Sequence, residues 1–282
     1  MSQNKKKPKS KYFFRRLFAV LALLILIWWY NNYTLKISEN SISSPKLSTN
    51  IRAVIISDLH ATRLGISNSN IIGKVNKTDP DIVFVIGDMY TQKSEWNLIE
   101  IPINLMKSLV DNGYPVYFTS GDHDTSQQYF AELEKVGVHV MNYKEEIVNI
   151  KGNNLKIMGI DNVHYSPTFD LTNEFELDEN CYNILLAHIP NYKKFAQFGA
   201  DLTLCADTHG GMIQIPFIGA AYDALTGNWL PELTGNSTVY DKGWFTYNGG
   251  AMFITSGIGA NPIPLRFNNR PEIVSIDIIP KR

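Results

Sequence analysis

The stretch Ala53-Val-Ile-Ile-Ser-Asp-Leu-His60 decides how the rest of the sequence is read. A run of apolar residues carries into Asp58, a spacer and His60, with Gly and Asn turn residues following. The pattern predicts a short, buried parallel strand whose C-terminal end presents a carboxylate and an imidazole. Ligand sites of open α/β sheets lie at the carboxyl ends of strands, so chemistry is expected there. In an extended segment Asp58 and His60 share one face, because side chains alternate with period two. Together they can bind one metal ion.

The same pattern recurs downstream. Ile82-Val-Phe-Val-Ile-Gly-Asp88 is a second buried strand, and Pro115-Val-Tyr-Phe-Thr-Ser-Gly-Asp-His-Asp124 a third. Tyr182-Asn-Ile-Leu-Leu-Ala-His188 is a fourth, and Asp201-Leu-Thr-Leu-Cys-Ala-Asp-Thr-His-Gly-Gly211 a fifth. Each delivers Asp or His at its C-terminal tip. Of the six histidines, His60, His123, His188 and His209 fall at these tips, leaving only His139 and His164 elsewhere. Histidines buried for packing and carboxylates placed for solvation would not sort themselves in this way.

In this order and spacing the chain resembles the calcineurin-like metallophosphoesterases, whose motifs run Asp-x-His, Gly-Asp, Gly-Asn-His-Asp/Glu, His and Gly-His-x-His. The match extends from about Arg52 to the C-terminus. Within that superfamily it is most similar to the membrane-associated or exported bacterial branch. The features pointing there are Thr-His-Gly-Gly-Met-Ile-Gln-Ile-Pro216, Pro262-Ile-Pro-Leu-Arg-Phe267 and the Arg-Pro-Glu-Ile273 that follows. The resemblance implies an α/β fold, a four-layer αββα sandwich of two mixed sheets flanked by helices. It also implies a dinuclear centre. Asp58, His60, Asp88 and His209 would hold the first divalent ion; Asp88 would bridge to a second held by Asp122, His188 and Asp207. His123 would act as general acid or transition-state stabiliser, oriented by Asp124.

Two departures from the family pattern touch the second ion. Gly-Asn-His becomes Gly121-Asp-His123, and Gly-His-x-His becomes Ala206-Asp-Thr-His209. Each keeps a potential ligand, so they read as a retuned site, and oxygen-rich ligands favour Mn²⁺ or Mg²⁺, with Zn²⁺ or Fe as alternatives. An acid that relatives often carry just after Gly-Asp is Thr91 here.

Composition bounds the rest. The 282 residues suit one catalytic domain plus a short extra segment, and the net charge of −1 gives no reason to expect nucleic acid as a partner. Two cysteines, Cys181 and Cys205, cannot make a disulfide framework and read as buried thiols. Residues 1–16 carry Lys5, Lys6, Lys7, Lys9, Lys11, Arg15 and Arg16 without an acid, and residues 17–33 form the apolar part of an uncleaved anchor. From Tyr12 to Tyr33 a helix would cover ~33 Å, with aromatic belts at both ends. The basic flank is expected in the cytoplasm, which puts the rest of this single-pass chain outside, with the lipid bilayer as a partner.

Residues 34–50 are Ser- and Asn-rich and read as a linker, part of which could add an edge strand; the phosphoesterase domain is then 51–282. Helical patterns are expected at Asn68–Lys77, Ile103–Asp111, Ser126–Val136 and Asn191–Phe198, with a hairpin over Glu146–Ile160. Met252–Ser256 and Glu272–Ile278 complete the strands. Residues 217–250 show little periodicity and read as a lid, a binding loop or a surface cover. The expected activity is hydrolysis of a phosphomonoester, phosphodiester or pyrophosphate, of lipid or envelope origin, by a phosphoric ester hydrolase. The alternative is a catalytically impaired binding protein with an altered second metal site. An amidase on the same scaffold finds no support in the motif order.

Overall fold

The computed structural model describes residues 9–161, 169–223, 225–234, 238–261 and 264–281. Lys5, Lys6, Lys7, His164 and the Pro262-Ile263 part of the C-terminal motif lie outside them. The chain begins with α1 (Lys9–Tyr33), β1 (Lys36–Ser44), β2 (Ile51–Ile56), α2 (Asn68–Thr78) and β3 (Ile82–Ile86). Next come α3 (Trp96–Asp111), β4 (Val116–Thr119), α4 (Gln127–Lys135), β5 (His139–Val140), β6 (Lys144–Ile150) and β7 (Asn153–Ile160). Then follow β8 (Tyr182–Ala187), α5 (Tyr192–Phe198) and β9 (Leu202–Cys205). Two short pairs, β10 (Gln214–Ile215) with β11 (Gly219–Ala220) and β12 (Tyr222–Asp223) with β13 (Asn228–Trp229), precede α6 (Pro231–Thr234). The chain closes with β14 (Gly243–Tyr247), β15 (Gly250–Ile254) and β16 (Glu272–Pro280).

Two six-stranded sheets result, in the orders β1-β16-β2-β3-β4-β5 and β14-β15-β9-β8-β7-β6. Strands β2 to β5 run parallel, as do β7, β8, β9 and β15, while β16 is antiparallel to β2 and the outer strands β6 and β14 are antiparallel to their neighbours. Alternation along each strand explains the layering. In β3, Ile82, Phe84 and Ile86 pack into the core between the sheets, while Val83 and Val85 face the core beneath α2, α3 and α4. In β8, Tyr182, Ile184 and Leu186 meet them from the opposite sheet, and Leu185 and Ala187 turn outward to α5. A strand buried on both faces must be apolar at every position, which is why these segments are continuous apolar runs. The four-layer αββα sandwich of two mixed sheets is therefore present, preceded by an apolar helix. Tyr12–Tyr33 of that helix is long and apolar enough to cross a membrane.

Two details differ from the sequence expectation, and the edge strand expected from part of 34–50 is present. Helix α3 starts at Trp96, seven residues before Ile103, because it runs through Pro102. An interior proline costs roughly 3 kcal/mol, and here it sits inside a buried stripe with Ile99, Ile103, Leu105, Met106 and Leu109. Residues 36–44, inside the stretch read as a linker, form β1, paired in parallel with β16 from Lys36↔Glu272 to Ser44↔Pro280. Residues 217–250 are not wholly irregular, since Gly243–Tyr247 forms β14 against β15.

Phe84 is fully buried between the sheets, whereas Ile147 on the edge strand β6 is 56% exposed. Phe84→Ala should lower the unfolding free energy by about 3–5 kcal/mol, and Ile147→Ala should leave it within about 0.5 kcal/mol. Urea titration of the detergent-solubilised chain measures both; equal effects would contradict the two-sheet core.

Candidate metal centre

The side chains that the sequence placed at five strand tips converge at one end of the two sheets. His60 Nε2 and His188 Nε2 each lie 3.5 Å from Asp88 Oδ2, and His123 Nε2 lies 3.9 Å from it. His209 Nε2 is 3.8 Å and His188 Nε2 3.9 Å from Asp58 Oδ1. Asp122 Oδ1 and Asp207 Oδ1 stand 3.8 and 3.7 Å from His188 Nε2. Donor atoms of Asp58, His60 and His209 thus form one group suited to a cation, and those of Asp122, His188 and Asp207 another. Asp88 joins His60 and His123 on one side and Asp58 and His188 on the other, so it stands between the two groups.

The backbone achieves this differently from the extended segment expected at Asp58 and His60. Strand β2 ends at Ile56, and Asp58 (φ 49°) and His60 (φ 41°) are left-handed, as are Asp88 (54°), Asp207 (68°) and His209 (49°). Such conformations are uncommon in residues with a Cβ, Asp and His being among those that tolerate them better. They persist here because neighbouring loops fix them. The amides of Asp58, His60 and Ala61 donate to the carbonyls of Gly87, Asp88 and Met89. Close approach demands glycine at two points: a Cβ on Gly121 would lie 2.1 Å from Asp88 Oδ1, and one on Gly257 2.5 Å from Asp58 Oδ2.

Hydrogen bonds leave the inward-facing atoms free. Asp58 Oδ2 accepts from Ser57 Oγ at 2.6 Å, and Asp88 Oδ1 accepts from the His123 amide at 2.9 Å. His188 Nδ1 lies 2.8 Å from the Ile86 carbonyl and His60 Nδ1 3.3 Å from Thr91 Oγ1, so each Nδ1 can carry the proton and leave Nε2 as a lone pair. Asp58 Oδ1, His60 Nε2 and His188 Nε2 are buried with no hydrogen-bond partner. Unpaired buried polar atoms are costly, and these flank Asp88, Asp58 Oδ1 with His60 Nε2 in one donor group and His188 Nε2 in the other, as divalent cations would require. His209 is held differently: its Nδ1 faces Arg266 Nη2 at 3.3 Å, a group that only donates. Arg266 is buried and donates to the Ser256 and Gly259 carbonyls.

Asp124 requires a correction. It does not orient His123. Its carboxylate accepts from the amides of Asp88 (2.6 Å), Met89 (3.1 Å) and Gly121 (3.1 Å), tying two loops together behind the centre. The partner of His123 is instead the Gln92 amide, which donates to Nδ1 at 2.9 Å. A backbone amide leaves no trace in a side-chain motif, and so this contact was invisible in the sequence. Ser57 and Asn261, whose amide nitrogen is 3.3 Å from His123 Nε2, were missed for want of any spacing signal. Arg266 lies within the Pro262–Phe267 motif, and only the fold shows that it reaches His209. A larger cavity, about 620 Å³, lies against Asp124, Thr125 and Tyr143 and holds none of the other converging donors. The donors locate the chemistry better than that cavity does.

Burial sets the titration of the metal-free centre. It raises Asp58 to about 7 and Asp207 to about 6, and lowers His60 to about 4. Burial also works against the charged forms of Asp88 and His188, but their mutual attraction prevails, holding Asp88 below and His188 well above its ordinary value. Burial and the Arg266 cation push His209 well below its usual value.

The calcineurin-like phosphoesterase family model matches residues 51–211. The uncharacterized metallophosphoesterase YkuE of Bacillus subtilis is 24% identical over 210 residues, 72% of this chain and 69% of that protein. The uncharacterized protein YpbG of the same organism is 25% identical over 248 residues, 84% of this chain and 85% of its own. A Danio rerio transmembrane protein with metallophosphoesterase domain is 26% identical over 253 residues, 82% of this chain and 54% of that one.

A cation must displace whatever protons its ligands hold. Since Asp58 takes up a proton below about 7 and Asp207 below about 6, Mn²⁺ affinity should fall as pH drops through that window. Calorimetric titration at stepped pH checks this, with proton release per ion increasing toward the acid end; a pH-independent affinity would contradict it.

Proposed function

We propose that this chain, which belongs to the calcineurin-like phosphoesterase family of metal-dependent phosphoester hydrolases, is a membrane-anchored, extracytoplasmic dinuclear enzyme. Its substrate is a phosphomonoester, phosphodiester or pyrophosphate. The observation that carries this reading is the trio of buried, unpaired donors, Asp58 Oδ1, His60 Nε2 and His188 Nε2, gathered around Asp88. Asp58, His60, Asp88 and His209 would hold one ion, and Asp88, Asp122, His188 and Asp207 the other. Bound divalent ions supply Lewis acidity to a phosphoryl group and make water a nucleophile near neutral pH.

The remaining work falls to the chain's own side chains. Because Gln92 donates to His123 Nδ1, the neutral ring carries its proton on Nε2, the atom facing Asp88 Oδ2, and the Asn261 amide beside it then presents its oxygen. That nitrogen, 3.9 Å from Asp88 Oδ2, is placed to donate to the departing oxygen. His123 is partly exposed, at 23%, as a group meeting substrate must be. Asp124 supports this arrangement by fixing the loops that carry Asp88 and Gly121.

The two metal groups differ in character. Asp58 and His60 are buried, whereas the side chains of Asp122 and Asp207 are 49% and 24% exposed. A solvent-facing, carboxylate-rich group favours Mn²⁺ or Mg²⁺ and releases its ion more readily. Four carboxylates would formally neutralise two dications, and this same feature supports the second reading, an impaired binding protein with one ion. Metal analysis of the purified chain, paired with turnover of a panel of phosphomonoesters and phosphodiesters, decides between them. One ion per chain and no turnover of any ester would establish the second reading.

His123→Ala should lower turnover by about 10²–10⁴-fold for poor leaving groups, with little change in metal content. The loss should shrink for nitrophenyl esters, whose leaving group needs no proton. Asp122→Asn combined with Asp207→His should shift metal preference toward Zn²⁺ and move the pH optimum downward; unchanged preference in competitive metal loading would remove the charge argument.

A further inference from the structure

The end of α1 is built into the phosphoesterase domain beside the metal centre. Trp28 Nε1 donates to the Pro264 carbonyl at 2.8 Å. Asn32 pairs with both backbone groups of Arg266, its Oδ1 accepting from the amide at 2.7 Å and its Nδ2 donating to the carbonyl at 3.1 Å. Asn31 Oδ1 accepts from the Asn268 amide at 2.8 Å, and the Arg270 guanidinium lies over the Tyr30 ring. Arg266 in turn reaches His209. One residue, Arg266, thus separates the last turn of the helix from the centre. A cavity of about 150 Å³ runs along the same boundary, lined by Asn32, Tyr33, Leu59, His60, Leu64 and Pro264.

Exposed apolar side chains gather around this junction. Of the ten large apolar residues exposed outside α1 among the described residues, all but Ile147 and Leu177 lie at Leu64, Leu265, Phe267 or within 217–233. Leu265 and Phe267 flank the inward-pointing Arg266 and are 46% and 44% exposed. Phe267 is bridged to Ile213, which leads into the β10–β11 turn with Phe217 fully exposed at its tip. The Ala221 amide donates to Ile213, and the Leu230 amide to Ala221, which places Trp229 (71% exposed) and Leu233 (64%) beyond the same turn. Soluble proteins seldom expose apolar groups in such a concentration.

We propose that this rim rests on the lipid bilayer around the exit of α1, so that the metal centre opens against the headgroup layer and acts on a phosphate ester of a membrane lipid. The argument for a bilayer as the occupant is continuity: the rim extends outward from the helix that is suited to cross the membrane and is hydrogen-bonded to it. Aromatic residues favour that interface, and an apolar face of this kind enters it by ~5–10 Å. The lipid substrate rests on the phosphoesterase reading above, whereas the contact with the bilayer does not.

The test separates the two. Cys181 and Cys205 are buried, so a single cysteine at an exposed position can be labelled selectively. F217C, L265C and, as the distant control, I147C are labelled with an environment-sensitive fluorophore in the full chain, reconstituted in phosphatidylglycerol–phosphatidylcholine vesicles. Nitroxide lipids should quench positions 217 and 265 strongly and position 147 weakly. Equal weak quenching at all three overturns the proposal, as does burial of position 217 that depends on protein density and so reports a second copy. Phe217→Ser with Trp229→Ser should lower turnover of a phospholipid in vesicles by about tenfold while leaving a short-chain soluble analogue unchanged; equal effects on both substrates overturn the lipid assignment. Quenching at 217 and 265 without hydrolysis of any ester would uphold the membrane contact and sink the enzymatic reading.

Discussion

A carboxylate that faces away from the centre holds it together. Asp124 accepts three backbone amides from the two loops that follow the paired strands β3 and β4. Those amides are buried, and without an acceptor each would carry the full penalty of an unmet hydrogen bond. With the loops fixed, Asp88 is aimed by the His123 amide, and its second oxygen faces His60 and His188. The placement of His123 follows from the same tie, since Asp124 is its chain neighbour. The alignment of the β3 and β4 tips therefore depends on one buried acceptor. Its own titration reflects the cost, with burial raising it to about 7 despite the amides.

Around that brace the two groups of candidate donors are unequal by construction. One lies deep, rich in imidazole, with Ser57, Thr91 and Arg266 supporting its members. The other is rich in carboxylate and reaches solvent through Asp122. His209 belongs to the deep group but has a guanidinium behind it where His60 and His188 have an acceptor, which makes it the least firmly oriented of these three imidazoles.

Much of this was legible in the sequence because buried parallel strands must be apolar throughout, and a sudden Asp or His at the end of such a run is conspicuous. Asp58, Asp88, His188 and Asp207 could be found by that contrast alone. The geometry that unites them could not. The left-handed turns at Asp58, His60 and Asp88 are fixed by their own amides donating to acceptors on adjacent loops, a tertiary cause with no local signature, and they replace the period-two argument. Pro102 hid the first turns of α3, since the usual reading stops a helix there, whereas packing carries this one through. Asp124 was noticed for its position beside His123, and only the fold reveals that it points the other way. Segment 36–44 is polar on its exposed positions, and its pairing with β16, some 230 residues later, cannot be inferred from composition.

That pairing has a mechanical consequence. Only Thr34 and Leu35 separate α1 from β1, and β1 is zipped in parallel to β16 over its whole length. A flexible leash would let the domain tumble and sample substrate from all directions. Here helix and sheet must turn as one rigid body, and tilt of the helix becomes tilt of the active-site mouth. With the helix in a membrane, encounter with anything embedded in the same leaflet would be reduced to a search in two dimensions, by a catalyst whose bearing toward that plane is set in advance.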